Sequence, residues 1–405
     1  GRWCITTAGI LWTWRLSEGI EFLLYSNDMS GPGKVLVVQP SWVGDAVMAT
    51  PTLRAIRHLY PDAHISFLMK RNIKPICAGM PWADKLITYR AGKTRKKAGK
   101  GIFDVAARLR AAKFDLAILL PNSFQTALVC KMANIKQILG YERDGRGFLL
   151  TDRLLPPKDR GKFLPTPIIK YYLGLAQYLG SPHKDLTMEL FVTDAERRHG
   201  HSVLHRCKID PSIYRPGSMG KPPLIVLNPG AQFGAAKCWL PEYFADLSDR
   251  FTDELGATVS APKERQIVES VLSHLKRPAI DLAAHGLKLG SLKEIIRRSD
   301  LMVTNDTGPR HIAAAFGVPV VTVFGPTHPE WTEIYYAKER QTSVKVFCGP
   351  CQKKKCPLDH RCMTRVTPAM VFAAALDLLH AKHHAAKAGV AAPEEVSALG
   401  GQEGE

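Results

Sequence analysis

The chain has 405 residues, 45% of them hydrophobic and 23% charged, with a formal net charge of +18. That length holds two ordinary domains with cores of their own, and the composition is that of a soluble globular chain, not a disordered or fibrous one. The charge favours an anionic partner (nucleic acid, an anionic membrane surface or a phosphorylated substrate) without choosing among them.

The longest uncharged apolar stretch near the N-terminus, Trp3 to Trp14, is well short of the ~20 residues a spanning helix needs. Residues 1–32 are read as an N-terminal extension outside the fold, because Met29 stands just before the first clear strand. Of the nine cysteines, Cys4, Cys77, Cys130, Cys207 and Cys238 are scattered, which suits a reducing compartment. The other four cluster near the C-terminal end.

In chain order, apolar runs at Val35–Val38, Ile65–Met69, Leu86–Tyr89 and Leu116–Leu120 read as buried strands. Helix-period segments, Leu53–Tyr60 and Val105–Ala112, lie between them. This is the βαβ rhythm of a parallel sheet covered on both faces. The rhythm stalls at the proline-rich Thr151–Pro167. A helix over Ile168–Leu179 then closes a first domain, 33–207.

Residues 208–223 carry Pro211, Pro216, Pro222 and Pro223 and read as a linker. The rhythm restarts in a second domain, 224–385. Its strands are Leu224–Leu227, Leu301–Thr304 and Val318–Phe324; its helices are Glu242–Phe251, Ile312–Phe316 and Met370–His380. The tail 386–405, rich in Ala, Gly and Glu, is expected to be disordered. Two such α/β domains make a cleft, and ligands in open parallel sheets bind at the carboxyl ends of strands.

Three loops at such strand ends carry unusual chemistry. In Gln39–Asp45, Gly44 lets the backbone turn closely and Asp45 stands at a strand-to-helix junction. Asp45 reads either as a cleft carboxylate or as a helix cap, with Thr50 as the cap of the next helix and Pro51 in its first turn. In Asn228–Trp239, small residues leave backbone N–H groups open to a phosphate and Lys237 can neutralise a diphosphate; a plain connection with a surface lysine is the alternative. In Thr304–His311, Asp306 or Thr307 can cap a helix whose exposed N–H groups form an anion site, and His311 can face the cleft or the core.

Absent signatures narrow the choice. No G-x-G-x-x-G follows the first strand, which argues against a nicotinamide dehydrogenase. No D-x-D signals a carboxylate-held metal. No nucleic-acid motif appears, and the basic residues Lys93, Arg95, Lys96, Lys97 and Lys100 lack interleaved aromatics. That run reads as a solvated loop or as a contact for anionic headgroups. No nucleic-acid partner is expected.

VLVVQPSWVGDAVMATPTLRAIRHLYPDAHI, LNPGAQFGAAKCWLPEYFADL and VTNDTGPRHIAAAFGVPVVTVFGPTHPEWTE resemble the three ordered motifs of glycosyltransferase family 9, the ADP-heptose:lipopolysaccharide heptosyltransferases. The resemblance spans about residues 34–375. The terminal CGPC-x4-CPLDHRCM segment is most similar to the type II branch. The resemblance implies a GT-B fold: two Rossmann-like doubly wound α/β domains facing across a cleft, acceptor on the first and nucleotide sugar on the second. It implies metal-independent, inverting transfer of heptose from ADP-heptose to a heptosyl-Kdo–lipid A acceptor. That places the enzyme in the cytoplasm, peripheral on the inner membrane's anionic face, as a monomer.

It implies Asp45 as the base, with a carboxylate near its normal pKa of ~4. Lys237 steadies the departing diphosphate. The donor is implied at Gly230, Ala231, Gln232, Asp306, Thr307, Gly308 and His311, with Glu264 on the ribose. Ser41, Trp42 and Gly44 are implied on the acceptor side. The sequence departs from the family pattern at Ala257–Ala261, which lacks the usual glycines. No cofactor is required. The spacing of Cys348, Cys351, Cys356 and Cys362 suits a structural Zn²⁺, and equally a reduced packed loop or a disulfide pair.

Overall fold

The computed structural model describes residues 4–6, 9–11, 31–89, 95–214, 218, 220–231, 234–261 and 265–387. A short antiparallel hairpin, β1 (Cys4–Thr6) and β2 (Gly9–Leu11), lies in the segment read as an extension. The expected disordered tail falls outside the described residues, apart from the end of the last helix.

The first half runs β3 (Lys34–Val38), α1 (Val43–Met48), α2 (Thr50–Leu59), β4 (His64–Lys70), α3 (Lys74–Cys77), β5 (Lys85–Tyr89), α4 (Arg95–Ala112), β6 (Leu116–Leu119), α5 (Phe124–Met132), β7 (Gln137–Tyr141) and β8 (Asp152–Leu154). A hairpin, β9 (Lys158–Asp159) and β10 (Lys162–Phe163), and helices α6 (Ile168–Tyr178) and α7 (Asp194–Arg206) follow. The sheet is parallel, in the order β5-β4-β3-β6-β7-β8.

The second half repeats the plan: β11 (Leu224–Asn228), α8 (Pro241–Leu255), β12 (Thr258–Ala261), α9 (Arg265–Leu272), β13 (Ile280–Asp281), α10 (Leu289–Arg298), β14 (Leu301–Asn305), α11 (Gly308–Ala315), β15 (Val320–Val323), β16 (Glu339–Thr342), α12 (Arg361–Thr364) and α13 (Pro368–Lys387). Its parallel sheet has the order β13-β12-β11-β14-β15-β16. Counted within each half, both orders are 3-2-1-4-5-6, the doubly wound Rossmann arrangement. Its topological switch points lie between β3 and β6 and between β11 and β14.

The central strands are apolar throughout because helices cover both faces. Val35, Leu36, Val37 and Val38 are fully buried, as are Leu224, Ile225 and Val226. Helix ends follow local chemistry. Pro241 occupies the first turn of α8, and Gly256 ends it in the left-handed conformation at φ 59°. At α7 the Thr193 hydroxyl accepts from the Glu196 N–H, and the Glu196 carboxylate accepts from the Thr193 N–H.

The first motif folds differently from expectation. A separate helix, α1, begins two residues before Asp45, so Asp45 lies in its first turn and Trp42 is the cap position. Thr50 does not cap α2. Its hydroxyl donates to the Val47 carbonyl at 2.8 Å and accepts from the Glu189 N–H at 3.2 Å. The glycine and small residues of the motif permit a tight first turn that periodicity over six residues cannot reveal.

The halves share one core. α7, on the N-terminal side of the segment read as the linker, packs on α10, with Val203 and Leu204 in the same cluster as Leu292, Ile295 and Ile296. The fully buried Lys293 ammonium donates to Glu196 at 2.9 Å and to the Phe191 carbonyl at 2.7 Å, tying α10 to the first half. At the other end of the contact, α1 crosses α11. The crossing is made at two glycines. A Cβ on Gly308 would sit 2.9 Å from Val43 Cβ, and one on Gly44 would sit 2.7 Å from a ring carbon of His311. Only glycine lets the two helix starts approach this closely.

Candidate active site

The loops after β3, β11 and β14 meet across that crossing and enclose a cleft of about 270 Å³. The first half supplies Trp42, Gly44 and Asp45; the second supplies Gly230, Lys237, Asp306, Thr307, Gly308 and His311. Both switch points therefore open into one cavity.

Lys237 ends a three-residue 3-10 turn, Ala235–Lys237. Its ammonium reaches the Asp306 carboxylate at 2.7 Å and the Asp306 carbonyl at 3.0 Å. This sets a positive charge beside the N-terminus of α11, where Pro309 occupies the first turn. A lysine and a helix N-terminus together favour phosphate. Thr307 holds the cap position by backbone, but its hydroxyl makes no capping bond and instead accepts from Asn228 Nδ2 at 3.2 Å.

Asp306 is braced rather than free. The Thr327 hydroxyl donates to it at 2.9 Å and the Thr332 hydroxyl at 3.3 Å. Arg310, buried, donates to both oxygens of Glu339 at 2.6 and 2.8 Å and to the Thr332 carbonyl at 2.8 Å. Asn305 fixes the neighbouring loops by accepting from the Trp239 N–H at 3.0 Å and donating to the Pro229 carbonyl at 2.7 Å.

These surroundings divide the titratable groups. Burial pushes the Asp45 carboxyl up to about 6, and Asp306 adds to the rise while Lys237 opposes it. Burial also works to raise Asp306, but Lys237 and Arg310 outweigh it and hold that carboxylate below its ordinary value. Burial and then Arg310 press His311 down to about 3, so its ring is neutral at physiological pH. Its Nδ1 is buried without a hydrogen bond to the described residues. The two carboxylates in one cleft are thus split, Asp45 raised and Asp306 lowered from the ordinary value.

Most residues expected at the site are brought together here. Ala231 is buried beside the cleft, and Ser41 is half-buried; neither lines it. Gln232 and Glu264 lie outside the described residues. The carboxyl expected near ~4 at Asp45 is instead raised, because partial burial in the cleft disfavours its charged form. The sequence reading missed the Arg310–Glu339 brace and Thr332. Arg310 stands inside the third motif, but nothing local points to Glu339 on an edge strand 29 residues away.

Cys348, Cys351, Cys356 and Cys362 are free thiols, and among the described residues no three His, Cys, Asp or Glu side chains converge as metal ligands do. Burial, and then the neighbouring Cys356, Cys351 and Cys348, push the Cys362 thiol up to about 11.

Two Rossmann-type halves facing across a cleft, one giving a half-buried carboxylate and the other a lysine at a helix N-terminus, define a GT-B glycosyltransferase. The profile of glycosyltransferase family 9 (heptosyltransferase) matches residues 102–361. The chain belongs to that family and is a glycosyltransferase enzyme. It is 26% identical over 361 residues to lipooligosaccharide heptosyltransferase 2 of Haemophilus influenzae, covering 85% of this chain and 99% of the relative. It is 28% identical over 350 residues to lipopolysaccharide heptosyltransferase 2 of Escherichia coli K12, covering 84% and 96%. The solved structure of the E. coli ADP-heptose lps heptosyltransferase II superposes with a TM-score of 0.70 at 25% identity, covering 86% of this chain and 99% of that one.

Proposed function

We propose that the enzyme transfers L-glycero-D-manno-heptose from ADP-heptose to the heptosyl-Kdo–lipid A inner core, as a type II heptosyltransferase. The observation that carries the reading is the meeting of Asp45, raised to about 6, with the Lys237–Asp306 pair at the start of α11. The type II heptosyltransferases among the relatives supply the sugar and the acceptor.

In this reading the acceptor hydroxyl attacks the anomeric carbon of the donor as the bond to the diphosphate breaks. The hydroxyl proton passes to the Asp45 carboxylate, and ADP leaves with the bonding electrons. A carboxylate raised to about 6 is a better base for a hydroxyl than one near ~4, though still weak, so proton transfer is late and concerted with bond formation. One in-line displacement inverts the anomeric centre. Lys237 and the N–H groups of α11 receive the charge that develops on the diphosphate, work a bound metal would otherwise do. Neutral His311 packs against Gly44 at the junction of the two halves and orients the donor sugar.

Among the described residues no helix is long and apolar enough to cross a membrane. We place the enzyme as a monomer on the cytoplasmic face of the inner membrane. Exposed Phe148 and Leu155 follow β7 and β8 at the carboxyl edge of the first sheet. Arg143 and Lys158 stack on Phe163 there, 4.0 and 4.8 Å from its ring centre. An apolar rim studded with cations suits a surface of anionic lipid.

The test is ADP release with ADP-heptose and a monoheptosylated Kdo–lipid A acceptor, beside Asp45→Ala. Release that requires the acceptor and disappears in Asp45→Ala supports the transferase and its base together. Donor binding by calorimetry without release would overturn the acceptor assignment.

A further inference from the structure

The cysteine loop has a task that its thiols do not explain: it holds the turn that carries Lys237. Gln352 N–H donates to the Pro326 carbonyl at 2.8 Å, anchoring the loop to the strand end after β15. Ala236 N–H then donates to the Lys354 carbonyl at 3.1 Å. His360 Nε2 stands 2.8 Å from the Ala236 carbonyl. A carbonyl only accepts, so Nε2 carries the proton and donates. Both backbone polar groups of Ala236, the residue before Lys237, are thus satisfied by this one loop.

The loop's approach is close enough to dictate sequence. Gly234 sits at φ +155°, and a Cβ there would lie 2.4 Å from the Lys354 carbonyl oxygen. The Ala235–Lys237 turn has few bonds of its own: Lys237 N–H to the Gly234 carbonyl and Cys238 N–H to the Ala235 carbonyl, each 3.1 Å. Its position is therefore set from outside. Trp239, fully buried, fixes the far side by donating from its indole to the Val366 carbonyl at 2.8 Å. His360 fixes the near side.

We infer that His360 is a positioning residue for Lys237, acting through the Ala236 carbonyl to hold the ammonium where the donor diphosphate leaves. The inference rests on the reading of Lys237 as the diphosphate's cation. His360 is itself left-handed, at φ 58°, capping α12. That separates two roles by ranking. If the residue matters only for its backbone, Asn, which tolerates that conformation well, is the better substitute. If it matters for the bond, Gln, whose amide nitrogen reaches about as far as Nε2, is the better one, and Asn is too short.

The experiment measures ADP release against donor concentration, acceptor KM and melting temperature for His360→Asn, His360→Gln, Lys237→Met and the double variant His360→Asn/Lys237→Met. His360→Asn should fold and lose about tenfold in kcat/KM for the nucleotide sugar, the worth of one lost hydrogen bond. Its acceptor KM should not change, and His360→Gln should recover most of the loss. In the Lys237→Met background His360→Asn should cost nothing more, because the two residues act as one unit.

Full activity in His360→Asn, a Gln variant worse than the Asn variant, or additive losses in the double variant would each overturn the role of His360 alone. Undiminished activity in Lys237→Met would instead remove the reading of Lys237, and this inference with it.

Discussion

Asp45 shows how burial can make an ionised side chain costly to the fold. Its carboxyl is raised to about 6 by burial, so the folded state holds the proton more tightly than the unfolded chain does. The stability linked to that proton is fully present below about 4 and is lost as pH rises through about 6. Asp45→Asn should therefore melt higher than the parent at pH 8, by up to about 3 kcal/mol of stability, with the gap closing towards pH 4. Scanning calorimetry at both pH values reads this directly. The same variant should have lost almost all transferase activity, since the amide takes no proton. In the parent, kcat/KM should fall as pH drops below about 6, the ionised form being the base. A limb that persists unchanged in a variant with residual activity would assign it to another group.

At the scale of elements, the crossing of α1 on α11 sets the distance between the two halves of the site. A Cβ on Gly308 would also stand 3.3 Å from the Gly44 backbone nitrogen, which cannot rotate aside as a side chain can. Gly308→Val should part the helices, costing about 1–3 kcal/mol of stability by overpacking. The loss of activity should be larger, about 100-fold, because misplacing groups by an ångström or so is enough for that. Donor affinity measured by calorimetry should suffer less than kcat, since Lys237 and Asp306 stay together on one side of the parted interface. Equal losses in both would mean the glycine serves the donor pocket and not domain closure.

The same elements show what a linear reading can see. Strands β3, β4, β5, β6, β11 and β14 were legible because unbroken β-branched and leucine-rich runs have few alternatives in a covered sheet. Helix α1 was not, because six residues holding a glycine carry no period. The Thr50 cap was misread for a related reason: with α1 present, the hydroxyl finds a nearer carbonyl at Val47.

At the scale of the molecule, the repeated 3-2-1-4-5-6 sheets turn both switch points inward, and Phe148 and Leu155 stand exposed at the carboxyl edge of the first sheet. Phe148 is 72% exposed and Leu155 77%. Burying either in a lipid interface is worth about 1.5–3 kcal/mol. Phe148→Asp together with Leu155→Asp should therefore weaken sedimentation with phosphatidylglycerol vesicles at least about tenfold. Turnover of a short-chain, detergent-free acceptor should not change. Raising the salt should weaken vesicle binding by the parent as well, its cations being screened. Unaltered vesicle binding in the double variant would move the membrane contact elsewhere on the surface.

The sequence by itself determined the doubly wound halves, the three loops and the identity of the groups in them, Asp45, Lys237 and Asp306 among them. Local composition and residue type suffice for that: parallel strands, helix starts and phosphate-friendly turns are written in contiguous runs. Only the tertiary structure decided which way each group works. Asp45 is raised and Asp306 lowered, though both are aspartates in loops or turns that follow strands, because burial outweighs Lys237 at the first, while Lys237 and Arg310 outweigh burial at the second. The Arg310–Glu339 brace and the His360 bond to Ala236 likewise join residues 29 and 124 positions apart. Burial and charge pairing depend on distances in space, and those exist only once both sheets have closed on their shared core.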